Sequence, residues 1–323
     1  MGRHCEEVRR SGRLTLERVI DVATNELFPG FAPHRIRASG TEIHCIVGGA
    51  GPPVLLLHGY PQTHAMWHKV APALAREFTV VCPDLRGYGD SGKPASDATH
   101  AAYSKRAMAQ DMVDVMCELG FTRFYLAGHD RGGRVAHRLC VDHPEAVKRV
   151  AVLDISPTRT MYAGTNQAFA TAYYHWFFLI QPFDLPEMLI GAEPLYYLRK
   201  KLGGWGTGLD CFDPRALAEY ERCFVDAATI HATCEDYRAA ASIDLEHDDA
   251  DIAAGQKVVC PLLALWGDKG VVNRMFDPVR DWAAVAADVR GCALPSGHFL
   301  AEEAPAETLR ELRAFFASSP ALM

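Results

Sequence analysis

The segment Gly128-His129-Asp130-Arg131-Gly132 follows the apolar run Phe124-Tyr125-Leu126-Ala127 and has the spacing glycine, any residue, nucleophile, any residue, glycine. A strand that enters a helix through so tight a turn lifts the central side chain above the sheet. The flanking glycines remove the Cβ atoms that would obstruct it. Here the central residue is an aspartate. A carboxylate that attacks a carbonyl gives an anhydride, whereas one that attacks an sp3 carbon bearing a leaving group gives a stable alkyl ester. The pattern therefore predicts displacement at carbon. Arg131, directly after it, points to an anionic substrate. Helix capping by Asp130 is the competing role, but a cap needs neither glycine.

Three other segments supply what such a nucleophile needs. His58-Gly59-Tyr60-Pro61 ends an early apolar run and can turn backbone N–H groups toward developing negative charge. Asp154 closes Arg149-Val150-Ala151-Val152-Leu153, 24 positions after Asp130, and Gly297-His298-Phe299 lies near the C-terminus. The order nucleophile, acid, histidine is that of the α/β-hydrolase triads. Asp130 would form the ester, and His298, oriented by the acid, would activate the water that cleaves it. Backbone amides near Tyr60 and Arg131 would hold the oxyanion. Asp154 is favoured as the acid because it ends a strand, and Asp268 in Leu265-Trp266-Gly267-Asp268 is its rival. His298 and Asp154 could each instead cap or solvate a loop. The scheme requires no metal and no organic cofactor.

The elements that must position these groups alternate in type. Arg35–Val47 reads as antiparallel strand, while Val54–Leu57 and Phe78–Cys82 are apolar runs typical of buried parallel strands. A helix is predicted from Ser104 to Leu119, with Gly120 after it. Arg123–Ala127 and Arg149–Asp154 are predicted strands on either side of the helix that follows the elbow. Strands resume at Lys257–Trp266 and Asp288–Leu294, and a final helix spans Glu303–Phe316. This alternation predicts an α/β fold, a mostly parallel central sheet flanked by helices. Between Thr158 and Asp251 aromatic residues crowd and the pattern turns helical, as expected of an inserted cap. The expected division is an N-terminal extension (1–30) with a short helix bearing Leu14 to Val22, a core domain (31–157 and 252–323) and a helical cap (158–251).

The 323 residues are enough for one large domain with an insertion. A net charge of −7 offers no positive field for nucleic acid or an anionic membrane, so positive charge at the site must be local. The ten cysteines include no Cys-x-x-Cys pair and read as reduced thiols rather than disulfides or zinc ligands. With no run near the ~20 apolar residues of a membrane span and no secretory signal pattern, the expected location is the cytoplasm.

The elbow extended to Gly133-Arg134, Leu153-Asp154-Ile155, His175-Trp176 and Gly297-His298-Phe299 together resemble the fluoroacetate dehalogenases, α/β-hydrolases that convert haloacetates to glycolate. The resemblance spans roughly residues 25–318. It implies that Arg131 and Arg134 grip the substrate carboxylate, a role suited to guanidinium forks at i, i+3 spacing. It also implies that His175, Trp176 and Tyr237 form a halide pocket of imidazole, indole and phenol donors. Trp205, in Gly203-Gly204-Trp205-Gly206, would line the pocket or its entrance. Tyr60 stands where the family usually has phenylalanine, which adds a hydroxyl beside the site, and the N-terminal extension has no family counterpart. The family implies a homodimer.

Other activities are compatible with the triad. An epoxide hydrolase would use cap tyrosines such as Tyr173, Tyr174 or Tyr237 as acids, but paired arginines suit a neutral epoxide poorly. Haloalkane dehalogenases typically carry tryptophan after the nucleophile. A non-catalytic acid sensor would keep the arginines and have no use for His298.

Overall fold

The computed structural model describes residues 26–318, so the helix expected around Leu14 to Val22 lies outside the described residues. The eight strands are β1 (Phe31–Ala38), β2 (Thr41–Gly48), β3 (Pro53–Leu57), β4 (Thr79–Pro83), β5 (Phe124–His129), β6 (Val147–Leu153), β7 (Leu262–Gly267) and β8 (Val289–Leu294). They form one sheet in the order β1-β2-β4-β3-β5-β6-β7-β8. The β1–β2 and β2–β4 pairs are antiparallel, and every other pair is parallel. Helices join the parallel strands, so both faces of the central strands are covered. Val54 to Leu57 are accordingly fully buried, as are Leu126, Ala127 and Val150.

Strand order places the site. From β3 the chain moves outward to β4, then returns to the other side of β3 as β5. Connections leaving in opposite directions open a crevice at the carboxyl ends of that pair. Tyr60 follows β3 and Asp130 follows β5, so the pairing of Leu57 with Gly128 sets the two loops side by side.

Several boundaries differ from the sequence expectation. β5 continues through Gly128 and His129, which brings the strand to the residue before Asp130. Residues 257–261, expected to be strand, contribute only an isolated bridge from Val258 to Ala286, and β7 starts at Leu262. Pro261 has no N–H to give a ladder, and its carbonyl instead accepts from Val150. The last helix is split into Leu300–Glu303 and Pro305–Ala317, because Pro305 suits the first position of a new helix and not the interior of an old one. Between β6 and β7 the chain is helical from Thr158 to Ala254. Its last helix passes Asp251 and stops at Gly255, whose φ of +67° ends it.

Candidate active site

The turn after β5 is steric in origin. A Cβ on Gly128 would strike the Gly132 carbonyl, and one on Gly132 would strike the carbonyl of His58. With both glycines in place, Asp130 takes φ +47°, ψ −113°, a strained conformation for a residue with a side chain. Its carboxylate makes no hydrogen bond to the helix it precedes, so it does not act as a cap. Instead Oδ1 accepts the Tyr60 backbone N–H at 2.9 Å. The other oxygen, Oδ2, lies 4.0 Å from His298 Nε2.

Asp154 also has positive φ, +50°, immediately after β6. Its Oδ1 accepts the Gly267 N–H at 3.0 Å and its Oδ2 accepts from His298 Nδ1 at 2.7 Å. That contact puts a proton on Nδ1 and leaves Nε2 facing Asp130. Asp268 is exposed at the end of β7 and makes no contact with His298, so the histidine's partner is Asp154. Burial alone would lower the His298 pKa, but the hydrogen bond and charge of Asp154, with Asp130 behind it, raise it above the ordinary value. Burial would raise that of Asp130, yet His298, His129, Arg134 and Arg131 together outweigh it and keep the carboxylate ionised.

The two arginines are held differently. Arg131 points Nε and Nη2 at the carboxylate of Asp236, at 2.9 and 2.6 Å, and Nη2 also donates to the Asp236 carbonyl. Its guanidinium stacks over Tyr237 at 4.2 Å. Arg134 donates from Nη1 to Thr158 Oγ1 at 2.8 Å, places Nη2 beside Met161 Sδ and stacks on Trp176 at 4.7 Å. Thus one fork is already occupied by a protein carboxylate, and only part of each arginine is free.

What is free forms a set. Arg131 Nη1, Arg134 Nε, His175 Nδ1, Trp176 Nε1, Tyr237 Oη and His298 Nε2 are all buried without a hydrogen-bond partner. Their side chains are contiguous. His175 lies 5.5 Å from Tyr237, 5.9 Å from Tyr60 and 4.4 Å from Trp205, which in turn lies 5.4 Å from His298. Burial, with Lys201 and His298 nearby, holds His175 well below its usual pKa, so it is a neutral imidazole. Tyr237 is pushed well above the ordinary phenol, first by burial and then by Asp130, and keeps its proton. A buried polar group left unsatisfied costs about 1–3 kcal/mol, so the space these groups line suits a polar or anionic guest, water included. Tyr60 Oη is 3.2 Å from Tyr197 Oη, which ties the loop after β3 to the helix Pro194–Trp205.

Four supporting residues fall outside the set that the sequence singles out. Asp236 neutralises Arg131 and Lys105 together and accepts from Tyr88 Oη at 2.6 Å. His129 donates from Nε2 to the His298 carbonyl at 2.8 Å, locking the His298 loop to the elbow. Glu303 accepts the N–H groups of Gly297 and Phe299 at 2.8 and 2.9 Å, one on each side of His298, and that of Thr207 at 3.1 Å. Lys201 packs between Tyr174 and Trp205. The neighbour of Tyr237 in Asp236-Tyr237-Arg238 could have suggested Asp236, since a buried arginine needs a carboxylate. Nothing local marks the other three.

The scaffold is therefore two aspartates that end parallel strands, Asp130 and Asp154, with His298 reaching between them. The chain belongs to the α/β-hydrolase fold family. The family model for the alpha/beta hydrolase fold matches residues 52–305. A fluoroacetate dehalogenase of a Burkholderia species is 48% identical over 91% of this chain and 96% of its own length. A soluble epoxide hydrolase of Corynebacterium sp. (strain C12) is 33% identical over 88% and 96%. Among solved structures, an alpha/beta hydrolase of Nostoc sp PCC 7120 superposes with a TM-score of 0.88 at 59% identity, over 90% of this chain and 99% of that one. This α/β-hydrolase chain has no described helix long and apolar enough to cross a membrane. Its described residues include one cluster with metal-ligand chemistry, buried His44, His64 and Asp84. There Asp84 accepts from His64 N and Nδ1 on Oδ1 and from Asp90 N on Oδ2.

Proposed function

We propose that this protein hydrolyses the carbon–halogen bond of small 2-haloacids, converting fluoroacetate to glycolate and fluoride through an ester on Asp130. The observation that carries the proposal is the set of unpaired buried donors beside an ionised carboxylate. The 48% identical fluoroacetate dehalogenase supports the same reading.

In this mechanism Arg131 Nη1 and Arg134 Nε receive the substrate carboxylate. Asp130 Oδ2, the oxygen not held by Tyr60, attacks C2, and the carbon–halogen bond breaks as the ester bond forms. The halide leaves with the bonding pair into the donors of His175, Trp176 and Tyr237. Fluoride is a poor leaving group with concentrated charge, so fixed donors matter most for it. His298 Nε2 then takes a proton from water, and the resulting hydroxide adds to the Asp130 carboxyl carbon. The Tyr60 N–H, already at Oδ1, and the first amide of the helix stabilise the oxyanion. Collapse releases glycolate, whose alkoxide takes the proton from His298.

Residues 158–251 act in this scheme as a cap that supplies the halide donors and excludes water. We also propose a cytoplasmic homodimer. Phe183, Leu185, Met188 and Leu189 are exposed together on the cap and fit such a contact, which size-exclusion chromatography tests. A second reading, epoxide hydrolysis, draws on the unpaired Tyr237 hydroxyl and on Tyr60 with Tyr197, hydroxyls able to protonate an epoxide oxygen. Incubation with fluoroacetate, chloroacetate and styrene oxide separates the two. Fluoride and chloride release are expected; diol formation with no halide from either acid overturns the dehalogenase reading.

A further inference from the structure

Among the described residues, two lysines are buried, Lys105 and Lys201. Lys105 is neutralised by Asp236 and Asp244. Lys201, only 3% exposed, makes no ion pair and no hydrogen bond among the described residues. Its ammonium is instead enclosed by aromatic faces, 3.5 Å from the Tyr174 ring, 4.9 Å from Trp205 and 5.8 Å from Tyr197. Aromatic faces hold a cation in place but cancel little of its charge.

The position of this cation is informative. Tyr174 is 46% exposed and marks the surface. Trp205, also against the ammonium, packs on both His175 and His298. Lys201 thus contacts both a surface tyrosine and a tryptophan that packs against His175 and His298. The chain as a whole carries −7, so an approaching carboxylate meets a repulsive net field unless a local positive charge offsets it. Burial pushes the ammonium down to about 7, so an arriving anion would also favour its charged form.

We propose that Lys201 is an entry residue that attracts small carboxylate substrates and passes them, past Trp205, to Arg131 and Arg134. This rests on the reading of the site as one for small acids. An entry charge of this kind speeds association without forming part of the final contact set, and screening by salt weakens it.

Stopped-flow tryptophan fluorescence with sodium acetate, a carboxylate with no leaving group, measures the step directly, and Trp205 lies close enough to report it. At pH 6 and low salt, Lys201→Met is expected to slow acetate association about tenfold and to flatten its dependence on salt. Lys201→Arg, which keeps the charge, is expected to stay within about twofold of the wild type. An association rate in Lys201→Met equal to that of the wild type overturns the entry role. Equal slowing in both variants overturns it too, because the loss would then be one of packing. Failure of the wild type to bind acetate at all overturns the small-acid reading itself, a result distinct from either.

Discussion

Arg131 is bound to Asp236 before any substrate arrives, through Nε and Nη2 to the two carboxylate oxygens. The pair is fully buried, and Asp236 also neutralises Lys105. In the proposed mechanism a substrate carboxylate therefore meets an arginine fixed in orientation, with Nη1 left to donate. The desolvation cost of the arginine is met during folding and not at binding, which is the advantage of preorganisation.

Removing Asp236 exposes this dependence. Asp236→Ala would leave two buried cations without their shared partner and should cost roughly 3–5 kcal/mol in stability, read by urea unfolding. Asp236→Asn keeps the shape and should fold better, with a raised KM for haloacids as Arg131 reorients. A KM for Asp236→Asn equal to that of the wild type would show that the pair does not position Arg131.

His298→Ala should stop the cycle halfway. Alkylation of Asp130 needs no base, whereas ester cleavage does, so substrate-dependent adduct should accumulate on the Asp130 peptide in a mass spectrum. A clean peptide after incubation with chloroacetate would count against the covalent route.

The route also predicts where solvent oxygen goes. In a single turnover in oxygen-18 water, the label should enter the Asp130 carboxylate, and the first glycolate should carry unlabelled oxygen from the protein. Direct attack of water on C2 gives the opposite distribution.

Trp176→Phe keeps the stacking on Arg134 and deletes one N–H donor. Turnover of fluoroacetate is expected to fall about 100-fold, the scale of losing one preorganised donor, and turnover of chloroacetate much less. Equal losses on both substrates would place Trp176 outside the halide pocket.

The pKa directions give the pH profile a sign. His298 must be neutral to take a proton, and its pKa is raised above 6.5, so ester hydrolysis should climb as pH rises through a value above 6.5. Asp130 is lowered and stays ionised across that range. Stability has its own windows. The His298 contribution is complete below 6.5 and is lost as pH rises through the higher folded value. That of Asp130 is present above about 3.9 and lost as pH falls through its lower folded value. An acid limb of turnover centred well below 6.5 would deny His298 the role of base.

Local chemistry made much of this protein legible in its linear order. The apolar runs β3 to β6, the glycine-flanked Asp130, Asp154 at a strand end and His298 after the last strand each rest on contacts within a few residues. Those contacts are written in residue type and spacing. The arginine pair was equally visible, but its state was not. That Arg131 is half occupied by Asp236, 105 positions away, depends on the helix Ala227–Ala240 docking over the elbow. The choice of Asp154 over Asp268 required the His298 loop to land within 2.7 Å of one and away from the other. The clamp of Glu303 around His298 and the unpaired charge of Lys201 arise in the same way. Long-range packing decides which polar groups are satisfied and which are left free, and a reactive site is made of the ones left free.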